Sequence, residues 1–326
     1  MNRYLYKKIE KHDFDLLIPL MQDCFGMEVD MSYFYWKYID NPAGMVIGFI
    51  AVEEGSNQVA AYYGVIPQCY MIDGKETIIY QSCDTMTHSK HRRKGLFQQL
   101  ATLCYDYLRQ KGNLFVIGFG GEKSTPGFLK LEWKSIFVIK NYFFPKIFIY
   151  IPFVKCNISP KLAYLDRADL FQINHLLLKS NAFSAIHSHK REIYFKWRIS
   201  NPRYNYQIIV VKNEAAILSS YACFYFDKDK IVLFDFYFEN KQESALLLGE
   251  IKRVLRHENK KGIIAFCQEN SYFANKLRQS GFLSNPFNRG PLSIKTPFLL
   301  LSSSNVISKI NDPSCWNITA YDHDAM

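Results

Sequence analysis

"HRRKGLFQQL", residues 91–100, sets four basic side chains at the front of an amphipathic helical pattern. Helix electrostatics oppose that placement. The N-terminal end of a helix carries about half a positive charge, and a cation there costs roughly 0.3–1 kcal/mol. Upstream, "ETIIYQSCDTMTHS" (76–89) reads as a strand and the start of a loop. Downstream, Leu96, Leu100, Leu103, Tyr107 and Leu108 recur at three- and four-residue steps, and Gly112 marks the stop. The order is therefore strand, glycine-containing loop, helix. Unpaired N–H groups at such a helix start form an anion site, and a glycine lets the backbone approach the ligand closely. A phosphate at that point would explain why His91, Arg92, Arg93 and Lys94 gather there. The plainer alternative is a solvated basic turn.

Around this stretch the pattern predicts a strand at 4–9, two helices and a strand run through 46–87. A helix over about 95–110, the strand "NLFVIGFG" (113–120) and a short helix near 124–131 follow. Strands interrupted by helices predict a mixed α/β sheet with helices on its faces. The plan recurs. "YFYWKYIDNP" (33–42) and "YFKWRISNP" (194–202) share Tyr, Phe, Trp and Asn-Pro in order once one residue is dropped. Each is preceded by a helical pattern and followed by a strand-like run, which predicts a tandem duplication.

The chain has 326 residues and a net charge of +10, enough for two domains and suited to a polyanionic partner. No RNP-like, zinc-finger or helix-turn-helix pattern is present, so no nucleic-acid partner is expected. Eight cysteines lack CxxC pairs or metal-like spacing. They predict reduced thiols, a cytoplasmic location and no metal. The N-terminus has no apolar signal region. The aromatic run "FVIKNYFFPKIFIYIPFV" (137–154) is broken by Lys140, Pro145, Lys146 and Pro152. It predicts a pair of strands rather than a transmembrane segment, with peripheral membrane contact as the lesser reading.

Arg92-Arg93-Lys94-Gly95-Leu96-Phe97 resembles the Q/R-x-x-G-x-G/A pyrophosphate loop of the GNAT N-acetyltransferases, which also follows a strand and opens a helix. The resemblance implies acetyl-CoA as cosubstrate. It implies that Thr85, Met86 and Thr87 pair with the pantetheine arm, that residues 93–98, including Leu96, Phe97 and Gln98, offer amides to the pyrophosphate, and that the next strand splays away. "TPGFLKLEW" (125–133) is similar to the family's closing x-x-x-Tyr-x-x-x-Gly-Phe element, with Phe128 where a tyrosine acid is frequent and Glu132-Trp133 in place of Gly-Phe. "NSYFANKLRQSGF" (270–282) resembles that element more fully, yet its half has no basic glycine loop. There Asn240 and Glu243 read as a self-contained capping box. The expected division is a GNAT domain at 1–155, a degenerate GNAT-like domain at 156–301 and a tail at 302–326. The tandem arrangement is similar to that of enhanced-intracellular-survival-type acetyltransferases, FemABX aminoacyl ligases and N-myristoyltransferases.

Transfer to an amine needs a proton acceptor. Asp84, on the motif strand, is the first candidate, with Glu122 and His88 behind it. Each also reads as an ordinary solvated side chain. Cys83 reads as core rather than nucleophile. Asp322 and Asp324 lie on a polar tail that could return to the site. The expected activity is direct acetyl transfer to a primary amine of a small molecule, amino sugar or peptide. The alternatives are an aminoacyl- or acyltransferase of FemABX type and a non-catalytic CoA-binding sensor.

Overall fold

The computed structural model describes residues 3–56, 58–150, 161–180, 184–212, 217–285, 296–303 and 308–324. The end of the aromatic run at 151–154 and the expected boundary at 155/156 lie outside these residues. The chain forms two compact units. The first holds Met1–Tyr70, Thr77–Phe137 and Thr296–Asn311, and the second holds Met71–Glu76, Val138–Lys295 and Asp312–Met326.

The first half of the sequence supplies strands β1 (Tyr4–Lys8), β2 (Ile47–Glu53), β3 (Val59–Ile72), β4 (Lys75–Thr87), β5 (Phe115–Phe119) and β6 (Lys134–Val138). Then come β7 (Lys140–Pro145), β8 (Lys161–Tyr164), β9 (Ile186–Ser188), β10 (Gln207–Lys212), β11 (Leu218–Asp227) and β12 (Lys230–Tyr237). The last four are β13 (Gly262–Cys267), β14 (Leu283–Ser284), β15 (Pro297–Ser302) and β16 (Trp316–Asn317). The helices are α1 (Leu17–Phe25), α2 (Met31–Phe34), α3 (Leu96–Gln110), α4 (Thr125–Lys130), α5 (Asn174–Lys179), α6 (Glu192–Ile199), α7 (Lys241–His257) and α8 (Tyr272–Gln279).

The strand path of the first unit is β1–β2–β3–β4–β5–β15–β6, and that of the second is β8–β10–β11–β12–β13–β7–β14. The two paths match step for step. In each, one neighbouring pair is parallel, β4 with β5 and β12 with β13, and α3 or α7 makes the crossover that parallel strands need. The next place in each sheet is filled from the other half of the sequence. β15 pairs with β5 from Phe298↔Phe119 to Ser302↔Phe115, and β7 pairs with β13 from Gly262↔Pro145 to Cys267↔Lys140. The compact units therefore do not follow the boundaries expected at 155 and 301. Residues 138–145 go with the second unit, and 296–301 with the first, because each strand follows its ladder partner.

The cores follow from the periodicity. In α3 the stripe Leu96, Leu100, Cys104 and Leu108 is buried against Tyr63, Val65 and Val116. Full burial of a leucine contributes about 1.5–3 kcal/mol. In α7, Leu247, Leu248, Ile251 and Leu255 do the same over Ile209, Phe224 and Ile263. The aromatic run contributes β7 and a short 3₁₀ turn, Lys146–Tyr150. Among the described residues no helix is long and apolar enough to cross a membrane.

The repeated aromatic motif has a structural reason. Asn41 accepts from the Ala43 N–H and Asn201 from the Arg203 N–H, both at 3.0 Å, so each Asn-Pro builds the same turn. The extra residue of the first copy is taken up as a π-helical turn, Tyr35–Ile39, with Asp40 N–H donating to Tyr35 O at 2.8 Å. One added residue per turn lengthens the loop of the hydrogen bond from i→i+4 to i→i+5, so the flanking residues keep their places. The second copy, α6, is α-helical throughout.

Candidate active site

The parallel ladder between β4 and β5 consists of Tyr80↔Val116 and Gln81↔Ile117. Beyond it β5 stays on β15 as far as Phe119, while β4 runs on to Thr87 without β5 as partner. A fork opens there, bounded by Ser82–Thr87 on one side and Gly118–Phe119 on the other. Thr85, Met86 and Thr87 lie along its β4 arm; Met86 is buried, while Thr85 and Thr87 are partly open.

The loop at the end of that arm is held at both sides. Asp23, near the end of α1, accepts from Ser89 N–H (2.7 Å) and Ser89 Oγ (2.8 Å). Burial acts to raise its carboxyl, but the Ser89 hydrogen bonds and the nearby His88 and Arg92 outweigh that and hold it below the usual range. On the other side Tyr4 Oη lies 2.9 Å from His91 Nδ1 and accepts from Lys94 Nζ at 3.1 Å. His91 is buried, and burial first, then Lys94, His88 and Lys90, pushes its imidazole below its ordinary value. Of the four basic residues at the helix start, one is thus a neutral structural ring. Arg92 reaches back to Thr87 O (3.3 Å), and Arg93 and Lys94 are exposed.

Two residues of this loop have left-handed backbone, Arg93 (φ 63°) and Gly95 (φ 76°). Gly95 is the N-cap of α3 and supplies no side-chain cap. The first amide bonded within the helix is Gln99 N–H, to Gly95 O at 3.1 Å. Among the described residues, the N–H groups of Arg92 to Gln98 have no partner. A Cβ on Gly95 would meet only Gln99 Nε2, at 4.0 Å, so the space before these amides is open. Seven adjacent unsatisfied donors beside two exposed cations fit a diphosphate.

Asp84 sits on the same arm with φ 47°, a left-handed kink inside a strand. For a residue with a side chain this costs roughly 1–2 kcal/mol. Its carboxylate is held by the π-helical turn. Lys37 Nζ lies 2.7 Å from Oδ2, and Tyr38 Oη donates to the same oxygen at 2.9 Å. Lys37 is fully buried and the Asp84 side chain is 10% exposed. Oδ1 has no partner among the described residues.

The other candidates stand differently. His88 accepts from Lys90 N–H through Nδ1 (3.2 Å) and caps a 3₁₀ turn, with Nε2 3.9 Å from Asp23. Glu122 is exposed in the turn between β5 and α4. Phe128 is core, edge-on to Phe97 at 5.2 Å and 4.8 Å from Trp133. Trp133 Nε1 donates to Tyr105 Oη, which lies 2.9 Å from Tyr63 Oη. The departures Phe97, Phe128 and Trp133 are therefore one packed cluster. Cys83 is buried, as expected of core. In the tail, Asp322 accepts from Thr319 N–H (2.8 Å), and Arg198 donates to Tyr321 O and His323 O, all within the second unit. Lys37, Tyr38, Tyr4 and Asp23 escaped sequence reasoning. Only the extra residue of the first aromatic motif pointed toward the first two.

The equivalent helix start of the second unit is capped by a side chain and lined by carboxylates. Asn240 Oδ1 accepts from Glu243 N–H (2.9 Å), which is half of the expected capping box. The Glu243 carboxylate does not complete the box: it accepts from Ser219 Oγ (2.9 Å) and Ser220 Oγ. Ser220 Oγ in turn accepts from Glu239 N–H at 2.8 Å.

The sequence profile of the family described as "Acetyltransferase (GNAT) domain" matches residues 5–134. No curated protein matches the chain in sequence. Among solved structures, a probable N-acyltransferase from Enterococcus faecalis superposes with TM-score 0.71 at 10% identity, covering 92% of this chain and 72% of that one. A GCN5-related N-acetyltransferase from Anabaena variabilis gives 0.64 at 10% identity, with 91% and 72% covered. The Saccharomyces cerevisiae N-myristoyltransferase with bound myristoyl-CoA gives 0.60 at 12% identity, with 92% and 79% covered. At these identities the superpositions show a shared fold. Residues 5–134 are thus a GNAT acetyltransferase domain.

Proposed function

We propose that this protein transfers the acetyl group of acetyl-CoA directly to a primary amine of a small molecule, amino sugar or peptide. The observation that carries the reading is the coincidence of the β4/β5 fork with seven unpartnered amides at the end of its β4 arm. Arg92, Arg93, Lys94 and Gly95, with the amides through Leu96, Phe97 and Gln98, hold the diphosphate, and the open edge of Thr85–Thr87 binds the pantetheine. The matching strand paths and the two Asn-Pro turns support a tandem duplication whose second copy has lost its cofactor site. Free thiols at the described cysteines accord with a cytoplasmic setting.

In the reaction the amine nitrogen attacks the thioester carbonyl. A C–N bond forms, the C–S bond breaks, and the sulfur leaves as CoA thiolate, which takes a proton from water. Oδ1 of Asp84 is the oxygen open to receive the proton that nitrogen gives up. Aqueous thiols have pKa values near 8.5, so a thiolate can leave without an acid at position 128.

The experiment is turnover of acetyl-CoA with glucosamine, spermidine and a tripeptide with a free N-terminus. Asp84→Asn is expected to lower kcat/KM about 10²-fold, the low end for a general acid–base group, with acetyl-CoA affinity unchanged. Wild-type turnover in Asp84→Asn with loss in Glu122→Gln moves the base to Glu122. Tight CoA binding without turnover of any amine identifies a sensor.

A further inference from the structure

The chain contains the same three side-chain types, lysine, aspartate and tyrosine, clustered twice, and the two clusters are bonded differently. In the second unit Lys190 Nζ lies 2.6 Å from Oδ1 of Asp235, and Tyr221 Oη donates to Oδ2 at 2.6 Å. Each oxygen has its own donor and the carboxylate is fully buried, so the cluster is closed. Burial pushes the Asp235 carboxyl up against the pull of Lys190 and Tyr221. In the first unit both donors crowd onto Oδ2 of Asp84 and leave Oδ1 without a partner. The Asp84 side chain, unlike that of Asp235, is 10% exposed.

A buried ion pair is weak support for stability, since apolar replacement of both partners is often neutral or better. Here it also coincides with a left-handed aspartate and a π-helical turn, two local departures from regular structure. Such departures persist where surrounding structure holds them, and they concentrate at working sites. Lys37 is itself fixed, donating to Tyr33 Oη at 3.1 Å with its ammonium 5.4 Å over that ring.

We propose that Lys37 is a positioning residue for the transfer, holding one oxygen of Asp84 with Tyr38 so that the other alone meets the acceptor amine. The inference rests on the reading of Asp84 as proton acceptor. Charge adds a second effect. A lone carboxylate in a low-dielectric site attracts the acceptor's ammonium form, which has no lone pair to attack with. Pairing with Lys37 offsets the charge of Asp84, so the neutral, nucleophilic amine is less disfavoured on entering.

The test uses the full chain, with active sites counted by calorimetric titration with CoA. Acetyl-CoA turnover with the same three amines is measured for wild type, Lys37→Met, Lys37→Arg, Tyr38→Phe, Asp84→Asn and Lys37→Met/Asp84→Asn. Misplacement of a reacting group can cost about 10²-fold, so Lys37→Met is expected to lower kcat per site roughly 10–100-fold. Its acceptor KM is expected to stay level or fall, because an unpaired carboxylate binds the ammonium better. Lys37→Arg should recover kcat to within about tenfold, and adding Lys37→Met to Asp84→Asn should cost nothing further. A purely structural lysine predicts unchanged kcat per counted site, or losses that multiply in the double variant, and either result overturns the proposal. If Lys37→Met yields no CoA-binding protein, Tyr38→Phe carries the test: wild-type kcat there overturns it, and a drop absent from the Asp84→Asn background supports it. Full activity of Asp84→Asn instead overturns the assignment of the base, and turnover of none of the amines overturns the activity itself.

Discussion

At the scale of single residues, the site depends on one glycine and one neutral histidine. Gly95 combines φ 76° with open space in front of it, so an alanine there meets conformational strain rather than a clash. Gly95→Glu adds a carboxylate among the seven free amides. It is expected to abolish CoA binding in calorimetry while the protein stays folded, and unchanged affinity refutes the phosphate site. His91 makes stability depend on pH. Its imidazole is held below the ordinary 6.5, as are those of His187 and His189, chiefly by burial. The unfolded chain therefore takes up protons first as pH falls through 6.5, and the native state loses stability from there toward the lower native values. A lower Tm at pH 5.5 than at pH 7.5 is expected, with a smaller drop in His91→Asn. An equal drop in that variant removes His91 from the account.

Among the elements, α4 shows how a departure from the family pattern is absorbed. Phe128 packs on Phe97 and Trp133, and none of the three can revert alone without disturbing the others. Phe128→Tyr buries a hydroxyl in an apolar cluster and is expected to destabilise by about 1–3 kcal/mol in urea titration, with no gain in rate. A tenfold faster variant would show that the enzyme lacks an acid. The sequence made α3, β5, the anion loop and the strand–loop–helix order legible, because these depend on local periodicity and on Gly95. It showed neither the clamp on Asp84 nor the braces on the loop. Lys37 is separated from Asp84 by 46 or more positions of chain, as Tyr38 is, and Tyr4 from His91 by 87. Pairings at such separations leave no periodic trace. The π-helical turn was half visible, as a single surplus residue in a repeated motif. The second unit's helix start was misjudged for the same reason, since Ser219 and Ser220 divert Glu243 from its local cap.

For the whole molecule, one basic, uncapped helix start and one acidic, side-chain-capped start predict a single CoA per chain. Glu239 and Glu243 at the second start repel a diphosphate, and their own N–H groups are engaged, so saturation at two equivalents in calorimetry is the result that contradicts this. The exchanged strands have a consequence of their own during synthesis. β5 can pair with β4 as soon as both have left the ribosome, but its other edge waits for Pro297–Ser302, about 180 residues later. At roughly 5–20 residues per second that is on the order of 10–30 s of translation. During that interval the nascent chain presents an unpaired strand edge in the middle of its future catalytic sheet, the kind of edge that invites wrong partners. A ribosome stalled between β14 and β15 should therefore carry a chain that binds chaperone and not CoA, and release of the stall should restore CoA binding without any change in sequence before residue 297.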